Sequence, residues 1–293
     1  YSTMNLKGLQ TFREKLPRLQ GAKIYRLLLL FLGALILGLV VISISFLLPR
    51  LYPTIYILVA LEPVIPIFAI FFCVVMGFLS IFSVWIKKEK LKSKYKKLAY
   101  QKALQYGLFG IPFAISVIVY SYIPINTLYL IPAVNPITNF FSDSLISLIP
   151  IVSYYDLLIR LIGGTIFIVL GVITAAQALF TFGIDYMALV YLYYPEESEV
   201  QQHKIYSILR HPAYTAVFMI NIGSFIIRFS IYSLISTCLF HTFILILIHF
   251  VEEKELIQRF GDSYLEYKKQ VPALFLNPKK IRTFFRFLIG RNT

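Results

Sequence analysis

The chain has 293 residues, of which 58% are apolar and only 14% charged, with a formal net charge of +14 and a mean hydropathy of +0.76. A soluble globule cannot hide that much apolar surface, so the composition points to an integral membrane protein. The positive charge does not indicate nucleic acid, which would need a basic face on a folded soluble domain.

The apolar runs last about twenty residues without alternation, which lets a helix satisfy its own backbone across roughly 30 Å of hydrocarbon. A β-barrel would instead alternate apolar and polar residues in segments of about ten. The expected fold class is all-α: a polytopic membrane protein with about six transmembrane helices and a cytoplasmic C-terminal amphipathic helix. Of the 28 Lys and Arg, six fall in residues 1–26, eight in 87–102 and nine from Lys254 onward, whereas Arg50, Arg160 and Arg228 alone fall in the alternate loops. This asymmetry places both termini and the basic elbow at 206–214 in the cytoplasm, and the N-terminal anchor and heavy lysine usage fit a prokaryotic plasma membrane as well as the endoplasmic reticulum.

In chain order, residues 1–26 form a basic, partly amphipathic segment expected to lie on an anionic membrane surface. Residues 27–48 form the first span, closed by Pro49-Arg50. Residues 52–66, with Pro53, Glu62, Pro63 and Pro66, read as an outside loop or broken helical lead-in. A second span covers 67–86, with Trp85 at the interface level. Residues 87–102 read as a solvated or headgroup-contacting loop, with capture of an anionic lipid substrate as the alternative. The third span, 103–123, is expected to be interrupted near Gly110-Ile111-Pro112. Residues 124–150 form a long outside segment that could hold a re-entrant or interfacial helix. In the fourth span, 157–182, Gly163-Gly164 and Gly171 would let another helix approach closely.

An aromatic stretch, 185–194, then leads to a basic elbow, Tyr206-Ser207-Ile208-Leu209-Arg210-His211-Pro212-Ala213-Tyr214. Two apolar runs follow, 215–227 and 231–250, broken at Arg228 and ending abruptly in Val251-Glu252-Glu253-Lys254-Glu255. Leu256, Phe260, Tyr264 and Tyr267 recur at helical spacing, so a helix should leave the membrane here and run along its surface to Val271. Polar groups thus stand at both feet of a membrane hairpin, and feet emerging on one side can face each other. The chain divides into a basic segment (1–26), a four-span scaffold (27–182) and a functional core (183–293). Cys73 and Cys238 fall inside spans, so no disulfide or metal-thiolate site is implied. His241 reads as structural and His203 as a solvated loop residue. A carboxylate at the mouth of a span is costly unless solvated or paired, and Arg210, His211 or a bound cation could pair with Glu252 and Glu253.

Taken together, Tyr206, Arg-His-Pro-x-Tyr at 210–214, the hairpin, Glu252-Glu253, Phe260-Gly261, Tyr264, Tyr267 and Val271-Pro272 resemble the isoprenylcysteine carboxyl methyltransferases, a family of integral membrane enzymes. The resemblance covers about residues 191–278. It implies S-adenosylmethionine in a cytoplasmic pocket and a lipid-like or prenylated acceptor entering from the bilayer. It also implies a cofactor-binding set of Ser198, Glu199, Val200, Gln201, Tyr206, His211, Tyr214 and Glu252, with Glu252 on the cationic amino-acid end of the cofactor. His249, Glu253 and Arg210 are the candidate catalytic groups. His249 could serve as a substitute substrate ligand or a base, or simply hydrogen-bond a neighbouring helix. Four positions depart from the family: Lys204 and Ala216 stand where it has glycine, Ser198 where it has histidine, and Ile248 where its substrate-carboxylate arginine falls. Two other classes remain open. A sterol-reductase-like enzyme would bind NADPH, although two glutamates at the second foot suit a cationic cofactor better than phosphates; a non-catalytic membrane protein would keep the fold with a decayed pocket.

Overall fold

The computed structural model describes residues 6–19, 24–122, 131–148 and 155–289. The expected elements at 1–5, 20–23, 123–130 and 149–154 lie outside the described residues. Among those described the chain is all-α, with no strand. The helices are α1 (Leu9–Glu14), α2 (Tyr25–Leu51), α3 (Tyr56–Leu61), α4 (Ile65–Ile86), α5 (Lys88–Tyr95), α6 (Ala99–Tyr122), α7 (Pro136–Ser142), α8 (Asp156–Phe182), α9 (Ile184–Met187) and α10 (Val190–Tyr193). They are followed by α11 (Pro212–Arg228), α12 (Ile231–Leu247), α13 (Glu253–Phe260), α14 (Asp262–Gln270) and α15 (Ile281–Leu288), with a π-turn at Ile248–Glu252 between α12 and α13.

Five helices are long and apolar enough to cross a bilayer, and α11 is a shorter apolar helix of 17 residues. With α11 as the sixth member the bundle matches the expected polytopic architecture. Two prolines do not end or break their helices as expected. α2 continues through Pro49 to Leu51, and α6 runs unbroken through Pro112. A proline removes one backbone donor, and packed neighbouring helices in a membrane bundle let the helix tolerate the loss.

Polar contacts show how the helix ends group. At one end, the Arg50 guanidinium at the close of α2 pairs with Glu62 (3.2 Å), both side chains fully buried. Glu62 also accepts the Val134 and Asn135 amides, and the Tyr232 phenol at the start of α12 donates to the Pro63 carbonyl. Arg160, at the start of α8, pairs with Asp156 (2.8 Å) and donates to the Ile227 carbonyl at the end of α11; Arg228 donates to the Ser142 carbonyl. At the opposite end, Tyr193 donates to the Val84 carbonyl, Tyr100 to that of Ala188 and Lys7 to that of Thr181. Successive spans therefore alternate direction, and the elbow shares an end with the starts of α1, α5 and α6.

The expected small-residue contact lies between α8 and α11. A Cβ on Gly164 would stand 2.7 Å from the Gly223 carbonyl oxygen, and one on Gly171 would stand 2.8 Å from that of Ala216. Backbones this close let dispersion and packing replace a hydrophobic drive that lipid cannot supply. This contact fixes the first foot of the hairpin, because α11 begins at the elbow.

Three further expectations are corrected by packing. Residues 87–102 are mostly helix, α5 and the start of α6, with Leu91 and Tyr100 buried, rather than an open loop. The basic leading segment does more than lie on a surface. Leu16 and Leu19 are buried in a cluster with Leu91, Tyr100 and Leu192, and Lys15 pairs with Glu197 at 2.6 Å. The surface helix after the hairpin is two helices, broken at Gly261, whose φ of +57° is a left-handed value that glycine adopts without penalty.

Candidate functional site

The elbow is tied to the second foot of the hairpin, with one carboxylate oxygen left unpaired beside it. The elbow leaves a short 3₁₀ turn at Lys204–Ser207 and enters α11 at Pro212, where proline's missing N–H costs nothing in the first helical turn. The Arg210 and His211 amides donate to the Pro272 and Ala273 carbonyls (2.9 and 3.0 Å), and the Thr215 hydroxyl donates to the Leu274 carbonyl at 3.0 Å. The segment after α14 therefore runs back along the elbow and is stitched to it.

Glu253 is the hub of the joint. Its Oε1 accepts from Arg210 Nε (3.0 Å) and Nη2 (2.7 Å), lies 3.1 Å from His211 Nε2, and accepts from the Tyr264 hydroxyl at 3.2 Å. Its Oε2 meets Lys268 Nζ at 2.5 Å. Arg210 also donates through Nη1 to the Lys268 and Val271 carbonyls. The Arg210 and Glu253 side chains are 7% and 4% exposed, so this is a desolvated and fully satisfied ion pair of the kind whose geometry repays burial.

Glu252, one residue earlier, is arranged differently. Its Oε1 lies 3.8 Å from His211 Nδ1, and the Tyr214 phenol lies against it. Its Oε2 is buried and has no hydrogen-bond partner among the described residues. The His211 ring, 5% exposed, thus stands between the two carboxylates with one nitrogen toward each, 5.9 Å from the Tyr214 ring. The π-turn makes this arrangement possible. Its wider winding changes the phase of the helix just before Glu253, so Glu253 locks the joint while Glu252 keeps an oxygen free. No residue pattern in the sequence marks that turn.

The strip 198–201 runs beside this joint. The Ser198 hydroxyl donates to the Pro195 carbonyl, the Glu199 amide to the Tyr186 hydroxyl (3.1 Å), and the Gln201 side chain to Glu199. Val200 packs on the cluster of Tyr264, Tyr267 and Val271. Tyr206 is buried, its carbonyl accepting from the Tyr267 hydroxyl at 2.6 Å, and its ring lies 4.6 Å from that of Phe182. The ring contacts continue from Phe182 to Tyr186 (4.5 Å) and from Tyr186 to Tyr191 (4.1 Å). This aromatic ladder links strip and elbow; the sequence shows the stretch to be aromatic but carries no signal of this role. Burial raises the phenol pKa of Tyr206, Tyr264 and Tyr267 above the ordinary value, so all three are neutral hydrogen-bonding groups near neutral pH.

The remaining candidate and departing residues can also be placed. His249 is exposed on the π-turn, its ring edge-on to Phe250 at 4.8 Å. Ile248 is buried. Lys204 is exposed with a φ of +52°, so a lysine occupies a left-handed position that suits glycine. Ala216 is fully buried against α8.

Residues 159–263, just over a third of the chain, match a family model described as phospholipid methyltransferase. The matched region runs from α8 through the ladder, the elbow and the last hairpin to α13 and the start of α14. No curated protein and no solved structure matches the chain. The match supports a membrane methyltransferase as the class. It covers most of the region that resembles the isoprenylcysteine enzymes, so that resemblance holds at the level of membrane methyltransferases, with the subfamily left to the site's chemistry.

Proposed function

We propose that the protein transfers a methyl group from S-adenosylmethionine to a membrane lipid, with the donor bound between the elbow and the second foot of the last hairpin. The observation that carries this reading is the buried, unpartnered Oε2 of Glu252, flanked by His211 and Tyr214. A desolvated carboxylate oxygen without a partner is costly, and a cationic ligand such as the ammonium or sulfonium of this cofactor would satisfy it. The phosphates of NADPH would meet repulsion at the same place.

Bound there, the sulfonium supplies an already electrophilic methyl group. The chain's own task is to orient and to exclude water. Glu252 holds the amino-acid end of the donor, while His211 and Tyr214 wall the pocket. Tyr206 and the 198–201 strip stand at the nucleoside side, backed by the aromatic ladder. Arg210 and Glu253 spend their hydrogen bonds on each other and on α14, so we assign them a positioning role. His249, exposed beside the second foot, is placed to meet an acceptor arriving from the bilayer. Ile248 gives no cation for a prenylcysteine carboxylate, and the family match is to phospholipid methyltransferases; both favour an amine- or hydroxyl-bearing lipid over a free prenylcysteine.

Titration calorimetry of the purified protein tests the donor. Heat on adding S-adenosylmethionine, absence of heat with NADPH, and weakening of about 10- to 150-fold in Glu252→Gln follow from losing one hydrogen bond to a charged group worth roughly 1.5–3 kcal/mol. Unchanged affinity in Glu252→Gln would remove that residue from the role.

A further inference from the structure

The last described helix carries an arrangement that the site does not use. Phe284 and Leu288 of α15, one helical turn apart, are buried in a cluster with Ile205, Tyr206, Ile208 and Leu209, and Lys280 Nζ donates to the Ser207 carbonyl at 3.0 Å. One face of α15 is therefore seated on the back of the elbow. A second stripe, Ile281, Phe285 and Ile289, is apolar and left uncovered, with Ile289 74% exposed. A third, Arg282 and Arg286, is exposed and basic. From Tyr267 onward the sequence holds seven Lys and Arg and no Asp or Glu. The stitched segment on the elbow's other side ends likewise in an uncovered aromatic ring: Phe275 is 70% exposed, its inner side edge-on to Phe218 at 6.2 Å.

We infer that α15 is an interfacial docking helix for an anionic bilayer surface, and that this docking clamps the elbow. An apolar stripe beside a basic one, on a helix that lies at the mouth of a bundle, suits acyl chains on one side and anionic headgroups on the other. A neutral protein partner would leave the two arginines without counter-charge. Because the seat of α15 is the elbow itself, bilayer charge that holds α15 also holds Tyr206 through Leu209. The consequence for donor affinity rests on the function proposed above; the docking and the clamp do not.

The test uses the full chain in nanodiscs, without cofactor, and reads hydrogen exchange at the amides of residues 205–211. In a phosphatidylcholine and phosphatidylglycerol mixture at low salt, exchange should slow relative to phosphatidylcholine alone, by up to about 30-fold if each arginine contributes about 1 kcal/mol. Raising the salt should erase the difference, since the charges are exposed and screened. R282E/R286E should exchange alike in both lipids, with amides in the middle of α8 and α12 unchanged as a control on folding. Wild-type exchange that ignores both lipid charge and salt would overturn the inference, and it needs no variant to fold. A charge-reversed protein that keeps the lipid dependence would do the same. Failure here leaves the calorimetry with S-adenosylmethionine intact, and failure there leaves this result intact.

Discussion

Glu252 and Glu253 are chemically identical neighbours, and the structure demands opposite outcomes when each is changed. In Glu253→Ala, Arg210 would keep its bonds to the Lys268 and Val271 carbonyls but lose its counter-charge at 7% exposure, and His211 Nε2 and the Tyr264 hydroxyl would lose their acceptor. Breaking a buried pair from one side costs about 3–5 kcal/mol. Lys268 is 36% exposed and can turn to water, so the lower end, about 3 kcal/mol, is the expected loss. Thermal unfolding in detergent should show a clearly lowered midpoint, and hydrogen exchange should localise the loosening to residues 205–215 and 262–274. Glu252→Gln removes a buried charge one of whose oxygens the protein alone leaves unpartnered, so the ligand-free protein should melt at about the wild-type temperature while donor binding falls. If Glu253→Ala melts like wild type, or if Glu252→Gln is the less stable of the two, the division of labour between these carboxylates is refuted.

Other outcomes follow from the same packing. Lys204→Gly relieves a left-handed lysine, so it should raise the melting midpoint, within a ceiling of roughly 1–2 kcal/mol for that conformation in a residue with a Cβ; a lowered midpoint would show that the lysine side chain earns its place. Gly164→Leu drives a side chain into the Gly223 carbonyl and should prevent recovery of monodisperse protein, whereas Gly33→Leu, which meets open space, should purify normally. Glu62→Ala removes the counter-charge of the fully buried Arg50, whose bond to the Ile131 carbonyl remains, and should cost about 3–5 kcal/mol, while replacing both by apolar residues should cost markedly less; equal losses in the single and double variants would contradict a desolvation origin.

The spans were legible because uninterrupted apolar runs have one economical solution in a bilayer, and the glycine contact was legible because Gly164 and Gly171 recur on one helical face. Pro49 and Pro112 misled for a related reason: a rule learned for exposed helices ignores neighbours that compensate a lost hydrogen bond. At the site, residue types were visible but phase was not. Two adjacent glutamates on a regular helix would simply diverge by one residue's rotation. The π-turn at Ile248–Glu252 separates one of them, with a saturated network, from the other, with a free oxygen, and no residue pattern marks it. The ladder from Tyr191 through Tyr186 and Phe182 to Tyr206 was equally hidden, since its members come from four elements, α10, α9, α8 and the 3₁₀ turn before the elbow, that meet only in the folded chain.

The two ends of the bundle differ in how their polar groups are satisfied. At the far end, one network ties Arg50 of α2 and Glu62, just after α3, to the backbone of residues 131–135, and a second ties Arg160 of α8 to the Ile227 carbonyl of α11; the Arg50 and Glu62 side chains are fully buried and paired. At the elbow end, one joint is equally satisfied through Glu253, but it sits beside an unsatisfied oxygen on Glu252 and an exposed histidine at 249. A protein that kept this fold merely as a scaffold would gain stability by pairing or replacing Glu252, as it has paired Glu62 and Glu253. The buried carboxylate oxygen left open on Glu252, within the region matching the phospholipid methyltransferase model, is the feature that the proposed cationic donor would complete.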